Sequence, residues 1–339
     1  MKRILIIGSA HTSALEHIYS KHLSNFVNEV ALYPIQDNFL SYYHSSLLNK
    51  IVFRLGLSKI YKQLQKQVLA YVAVYKPTHI LVFKGMELLP STLLAWKQQE
   101  IKLINYNPDN PFLFSGRGSG NKNVTNSIKL FDLYGSYDRT IVKQLEAQAV
   151  NSALIPFGFE VEEALFEELC KGEEINKVCF LGNPDQERAQ FIKKLLDHNI
   201  AIDVYGAGWH SYLKNQPLVQ LFPAVYGNEF WRTLRKYTVQ LNLMRIHNLN
   251  SHNMRSFDIP GVGGIMLAPY TDDHANYFVN QVEVFLFRNF AECISNINYL
   301  LALSVEEREK IRNGARLKSV RKYTYAKRVQ ELNACLESL

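Results

Sequence analysis

Several common patterns are missing from this chain of 339 residues, and each absence closes off a class of protein. Its only cysteines, Cys170, Cys179, Cys293 and Cys335, stand far apart with no CxxC pair. That excludes a zinc-ribbon site and a disulfide framework, and fits a reducing cytoplasm. No stretch approaches the roughly 20 apolar residues of a spanning helix, and the apolar run after Lys2-Arg3 is far too short for a signal sequence. The expectation is therefore a cytoplasmic protein, neither integral nor secreted by that route. Short-period repeats and low-complexity tracts are absent. Gly8-Ser9-Ala10 falls short of the full dinucleotide fingerprint, so no nicotinamide cofactor is implied.

What is present is apolar and aromatic. With 47% hydrophobic and 20% charged residues, 19 Tyr and 19 Phe, the chain has enough apolar surface to fold. Its length fits two domains of about 150 residues each. Lys and Arg number 38 against 31 Asp and Glu, a net charge of +7 that favours anionic partners. The basic residues are scattered without a zinc-finger or RNA-motif signature, so nucleic acid is not expected.

Apolar runs at 3–7, 29–33, 79–83 and 101–106 alternate with helix-like stretches at 59–75 and 89–99, the pattern of a doubly wound α/β domain. A second series opens at Lys177 to Pro184, continues through a helix over 186–198 and a strand at 202–206, and extends through runs at 239–243, 264–267 and 284–287. This predicts a second parallel sheet. Between the halves, Ile155-Pro156-Phe157-Gly158-Phe159 and the acidic stretch 160–174 read as an interdomain connection, with a cleft beside it. The expected organisation is an N-terminal domain over 1–158, a C-terminal domain over 175–322, and a closing helix over 323–339 that packs back on the first domain.

The most informative stretch runs from Leu241 to Leu267, read as strand, polar loop, short helix and glycine turn. Loop amides at a helix start, together with Arg245 and Arg255, make a cradle for a diphosphate. Asp258, about one turn in, could accept ribose hydroxyls. Equally, Asn253 or Ser256 caps a helix, Asp258 favours its dipole, and the glycines shape a turn. Pro260 suits a helix only within the first turn.

The span Asn253 to Gly264, continued through Ala268-Pro269-Tyr270-Thr271-Asp272-Asp273-His274 to Phe278, resembles the donor-binding region of the CgeB-like, spore-maturation family of glycosyltransferases. Gly314-Ala315-Arg316, Tyr323-Thr324-Tyr325 and Arg328-Val329 resemble its closing segment. Phe180-Leu181-Gly182-Asn183 and Val204 to Trp209 resemble its first strands of that domain. The first half resembles it only loosely, through Asn107 to Phe112. Where the family commonly has Glu, this chain has Asp258, one methylene shorter.

The resemblance implies an α/β fold of the GT-B type, two Rossmann-like doubly wound domains facing a central cleft. It implies a metal-independent glycosyltransferase, of the hexosyltransferase class, that takes a nucleotide-sugar donor and a glycan, protein or lipid-linked acceptor, with no cofactor. Asn253, Met254 and Arg255 would line the diphosphate, Asp258 the ribose, and backbone groups of Val225 and Tyr226 the base. Val225 and Tyr226 read equally as a buried strand edge, and Gly182 and Asn183 as a phosphate border or a plain strand-to-helix turn. Arg245 and His247 could touch donor oxygens or be ordinary loop residues. A catalytically inactive nucleotide- or glycan-binding protein of the same fold is the alternative.

For the base that takes the acceptor proton, Asp109 lies at a strand's C-terminal end, where it also reads as a turn residue between prolines. His11, in the loop after the first strand, has a suitable unperturbed pKa. Thr271-Asp272-Asp273 reads as a turn or helix cap in preference to a metal pair. Gly116 to Asn123 reads as a surface loop or a lid. The cluster Arg308, Lys310, Arg312, Arg316, Lys318, Arg321 and Lys322 reads as solvated helix faces, with peripheral contact at the inner membrane surface as the sharper alternative.

Overall fold

The computed structural model describes residues 2–114, 118–214, 216–245 and 250–339. They form two compact units, Met1–Pro156 with Tyr325–Leu339, and Phe157–Thr324. Among the described residues, no helix is long and apolar enough to cross a membrane.

The first unit contains β1 (Arg3–Ile7), α1 (Leu15–Leu23), β2 (Glu29–Tyr33), α2 (Ile35–Ser45), α3 (Leu47–Arg54), α4 (Ile60–Tyr75), β3 (His79–Phe83), α5 (Pro90–Lys97), β4 (Lys102–Asn107), α6 (Lys122–Ser127), β5 (Leu133–Ser136), α7 (Arg139–Glu146) and β6 (Ser152–Leu154). Its sheet is parallel in the order β2-β1-β3-β4-β5-β6. Ile4, Leu5, Ile6 and Ile7 are wholly buried, as expected of an interior parallel strand with helices on both faces. Ile35 to Arg54, unassigned by the sequence pattern, are the helices α2 and α3.

The second unit contains α8 (Glu163–Leu169), β7 (Ile175–Leu181), α9 (Gln186–Asp197), β8 (Ile202–Tyr205), α10 (His210–Leu213), β9 (Val219–Phe222), α11 (Gly227–Lys236), β10 (Tyr237–Leu241), α12 (Arg255–Gly261), β11 (Met266–Pro269), α13 (Asp272–Tyr277), β12 (Phe285–Phe287), α14 (Phe290–Ala302) and α15 (Val305–Lys322). Its parallel sheet runs β12-β11-β10-β7-β8-β9. The core is built from Val178, Phe180, Val204, Val239, Leu241 and Leu267 with the inner faces of α9 and α14. The chain then returns to the first unit as α16 (Tyr325–Glu337), which packs on α1.

Three sequence expectations change. The acidic stretch 160–174 is no free connection but part of the second unit. Glu163 in α8 pairs with Arg316 at 2.7 Å, Glu168 pairs with Arg232 at 2.8 Å, and Glu174 accepts from Arg308 and Arg312. For the same reason the arginines of α15 are not solvated: Arg308, Arg312 and Arg316 are buried, each against a carboxylate. Of the rest of the cluster, Lys310, Arg321 and Lys322 are exposed, and Lys318 pairs with Glu283 at 2.7 Å. Finally, Pro260 lies near the C-terminal end of α12. Its missing N–H forgoes the bond to Ser256 O, and the helix ends directly after it: Gly263 adopts φ +73° and Gly264 N–H donates to Ile259 O at 2.7 Å.

Candidate active site

In the second unit, β7 and β10 are hydrogen-bonded neighbours although two strands separate them in sequence. From β7 the chain winds outward through β8 and β9, then returns to β10 and winds the other way. Loops therefore diverge at the carboxyl ends of these two strands, which is where doubly wound sheets hold ligands.

Arg188, in the first turn of α9, spans that point. Its Nη2 donates to Leu243 O after β10 at 2.7 Å, and its Nη1 to Asn183 O after β7 at 3.2 Å. Asp185 caps the helix by accepting from Arg188 N–H at 2.9 Å and lies 3.6 Å from Arg188 Nε. Burial pushes the Arg188 guanidinium down to about 10, and the nearby charges of Arg245 and Arg255 push the same way. It stays charged at neutral pH, so three cations gather at the edge of the sheet.

Arg255 opens α12. Its guanidinium lies 4.1 Å over the Phe230 ring, and Nη1 pairs with Asp258 Oδ2 at 2.8 Å. The Arg255 side chain is 31% exposed whereas that of Asp258 is 5% exposed. Burial raises Asp258 to about 6, against the opposing pull of Arg255. Among the described residues no acceptor meets the amide N–H of Met254 or Arg255.

Behind these groups lies a buried hydrogen-bond network. Burial lowers His274 to about 4, so its ring is neutral. Nδ1 donates to Pro269 O at 3.0 Å, which leaves Nε2 to accept from Ser256 Oγ at 2.8 Å. Ser256 Oγ then accepts from Asn253 N–H at 3.1 Å and from Asn242 Nδ2 at 3.2 Å. Asn253 turns inward: its Oδ1 accepts from Ser256 N–H and its Nδ2 donates to Asn242 Oδ1 at 2.8 Å. Thr271 caps α13 by accepting from His274 N–H. Asp273 is buried, 2.8 Å from His252 Nδ1 and 3.0 Å from Ser251 Oγ. These hydroxyl and carboxyl groups fix the loop that presents Arg255.

In the first unit, the corresponding reversal lies between β1 and β3. The loop after β1 is filled by carboxylates: Ser9 N–H donates to Glu16 Oε1 at 2.9 Å, and Ala10 N–H to Asp37 Oδ2 at 2.6 Å. Those amides are spent and faced by negative charge, a poor setting for a phosphate. Glu16 is raised by burial, and Glu87, after β3, is raised by burial to about 7. Lys84 pairs with Asp109 at 2.6 Å.

Residues 187–334 match the model of a family described as glycosyl transferase-like. That span begins beside Arg188 and takes in Arg245, Arg255 and Asp258. No curated protein sequence matches the chain. Among solved structures, sucrose-phosphate synthase from Thermosynechococcus elongatus superposes with a TM-score of 0.69 at 10% identity, covering 100% of this chain and 99% of its own. The HepE protein of Anabaena, solved with UDP, gives 0.63 at 12% identity, with 100% of both chains covered. UDP-GlcNAc 2-epimerase from Neisseria meningitidis, bound to UDP-GlcNAc, gives 0.57 at 14%, again with 100% of both covered.

The chain has the GT-B fold, and its residues 187–334 are similar to a glycosyl transferase-like family.

In this GT-B chain the structure places Gly182, Asn183, Arg245, Asn253 and Met254 on the loops after β7 and β10, and Arg255 and Asp258 in the helix α12 that follows the loop after β10. Gly182 and Asn183 form a strand-to-helix turn whose carbonyls are used: Gly182 O accepts from Trp209 Nε1 at 2.7 Å, and Asn183 O from Arg188. Gly206, at φ +153°, approaches so closely that a Cβ there would lie 2.3 Å from Gly182 O. Val225 and Tyr226 are not a buried strand edge. They lie in the irregular loop after β9, and the Tyr226 side chain is exposed, one helical turn before Phe230. His247, Gly116 and Arg117 lie outside the described residues.

His11 is exposed, and its Nδ1 accepts from Ser13 N–H at 3.3 Å, so a neutral ring carries its proton on Nε2. Asp109 follows β4 and is committed to Lys84. Arg188 and Glu87 are the residues that the sequence reading missed. Arg188 lies on a helix whose pattern reads as ordinary, and its position matters only once β7 and β10 are adjacent.

Asp258 has a pH signature. An acid whose folded pKa exceeds its unfolded value binds more protons when folded, so stability is lost as pH rises from 3.8 through about 6. Relative to Asp258→Asn, the native chain should lose about 3 kcal/mol over that window. Chemical denaturation of both proteins from pH 4 to 7 checks this, and parallel curves would refute it.

Proposed function

We propose that the chain is a CgeB-like glycosyltransferase that moves a sugar from a nucleoside-diphosphate sugar to an acceptor hydroxyl without a divalent metal. The observation that carries the reading is the gathering of Arg188, Arg245 and Arg255 where β7 meets β10. As the acceptor oxygen attacks the anomeric carbon, the bond to the diphosphate breaks and the electron pair leaves with the phosphate oxygen. Guanidinium groups fixed in advance stabilise that charge most in the transition state. The free amides of Met254 and Arg255 would add to them. The ring of Tyr226 would stack on the base, with Val225 backbone groups beside it, and Asp258 would orient Arg255 as well as approach the ribose. The acceptor is a glycan, a protein or a lipid-linked sugar.

HepE, solved with UDP-glucose, supports a UDP-sugar as donor. A melting screen against UDP-, GDP-, CMP-, TDP- and ADP-sugars tests the reading, since a donor that binds only the folded state raises the melting temperature. Each stabilising donor is then assayed for transfer. If no donor stabilises the chain, the reading fails. Conversion of the donor to an epimer without an acceptor would replace transfer with epimerisation. The second reading, a chain that holds nucleotide or glycan without turnover, is favoured by the commitment of Asp258 to Arg255.

Asp109, His11 and Glu87 compete for the role of base. Glu87 titrates near neutrality and must be ionised to take a proton, so kcat/KM should fall as pH drops below about 7. Glu87→Gln should remove that limb and most of the activity. A profile unchanged in Glu87→Gln would return the role to His11 or Asp109.

A further inference from the structure

Between Asp37 and Glu87 the sequence has no acidic residue, while Lys50, Arg54, Lys59, Lys62 and Lys66 all fall in this interval. The same interval contains α3, a helix with no buried residue. Phe53 faces inward, its ring 5.0 Å from that of Phe39 and 5.7 Å from that of Tyr61 in α4. Leu47, Leu48, Ile51 and Leu55 face the other way. At 100° per residue they fall within an arc of about 100°, with Arg54 and then Lys50 along one margin. Leu57 follows, after Gly56 turns the chain at φ +72°. Exposure of these five side chains runs from 52% at Ile51 to 78% at Leu47.

Single exposed leucines are ordinary, but four leucines and an isoleucine in one short stretch form a patch that a soluble surface rarely carries without a partner. The charges around it select the partner. Among the described residues, none of the five cations meets a carboxylate. A second copy of the chain placed symmetrically on this patch would set like charges against each other. A bilayer with anionic headgroups takes both parts: the leucines enter the headgroup boundary, and the lysines and arginines stay at the charged surface. At eight residues α3 is far too short to cross, so it would lie in the plane of the interface.

We propose that α3 and the turn after it seat the first unit on the surface of an anionic lipid bilayer. This stands apart from glycosyl transfer, because the binding is read without donor or acceptor. The contact differs from the one expected of the basic α15 cluster, whose arginines are largely buried against carboxylates.

The test is flotation of the full chain with vesicles of phosphatidylcholine alone, or mixed with phosphatidylglycerol. The chain should float with the mixed vesicles, and much less with phosphatidylcholine or in salt strong enough to screen exposed charge. Leu48→Asp with Ile51→Asp, both outside the core, should lower binding at least about tenfold while leaving the melting temperature unchanged. Lys50→Glu with Arg54→Glu should weaken it similarly and flatten the salt dependence. The proposal is overturned if the native chain stays in solution with anionic vesicles. It is equally overturned if the aspartate variant floats as well as the native chain, or if that variant only turns a dimer into a monomer. Activity with a soluble acceptor is a separate readout: an inactive chain that still floats would sink the transfer reading alone.

Discussion

Replacing Arg255 by Ala together with Asp258 by Asn should lower sugar transfer about a hundred- to a thousandfold, with little loss of stability. The two residues must be changed together because they are an ion pair, one partly exposed and one buried. Arg255→Ala alone would leave the Asp258 carboxylate buried without its cation, a defect that costs stability and confuses the reading. The double variant removes both charges, so what it tests is the proposed guanidinium at the leaving diphosphate together with the proposed approach of Asp258 to the ribose. Arg188→Lys is the companion. It keeps the charge but not the fork that reaches Asn183 O and Leu243 O together, and should lose activity through geometry. Steady-state rates with the donor found by the melting screen, beside melting curves for each variant, decide the matter. Native turnover in the folded double variant would remove the donor site from this part of the sheet.

The largest loss of stability should come from Arg312→Ala, about 3 kcal/mol, or about 6–12 °C in melting temperature for a unit of this size. Arg312 is 2% exposed and is hydrogen-bonded to Glu174, to Glu309 at 2.8 Å and to Tyr237 O at 3.4 Å. Arg308 reaches the same Glu174 at 3.1 Å, and Arg235 the same Glu309 at 2.8 Å. Burial would raise Glu174 and Glu309, but these guanidinium groups outweigh it and hold both carboxyls below their usual range. Stability from such depressed acids is present above their unfolded pKa of 4.5 and disappears as pH falls through the folded values. The gap between native and Arg312→Ala should therefore narrow below pH 4.5. A melting shift of less than about 3 °C at neutral pH would mean that the network contributes little.

How much of this was legible in the sequence depended on the length of the signal. Ile4 to Ile7 and Val178 to Leu181 are apolar runs with a glycine behind them, and both read as interior strands. β5, β6 and β9 have three or four residues each, and Leu133-Tyr134-Gly135-Ser136 offers no branched run to set a period. Arg255 was singled out because its loop carries a recognisable order of residues. The structure shows why that order extends to the closing segment: Arg316 Nη1 donates to Gly261 O at 2.5 Å, and Tyr323 packs on Phe257 and Phe278. Arg188 and Glu87 depend on which strands become neighbours, which no local pattern states. The buried arginines of α15 were misread because a charge run on a helix carries no mark of its partners, and Glu174 lies far away in sequence.

The return of α16 to α1 bears on how the chain is made. Tyr325, Val329, Leu332 and Leu336 are buried on that helix, and the Tyr325 ring stands 6.2 Å from that of Tyr19. A fragment ending at Pro156 would leave the α1 side of this contact bare. The first unit therefore keeps that apolar strip uncovered until α16 has been made. The second unit, continuous in sequence, can complete its fold first.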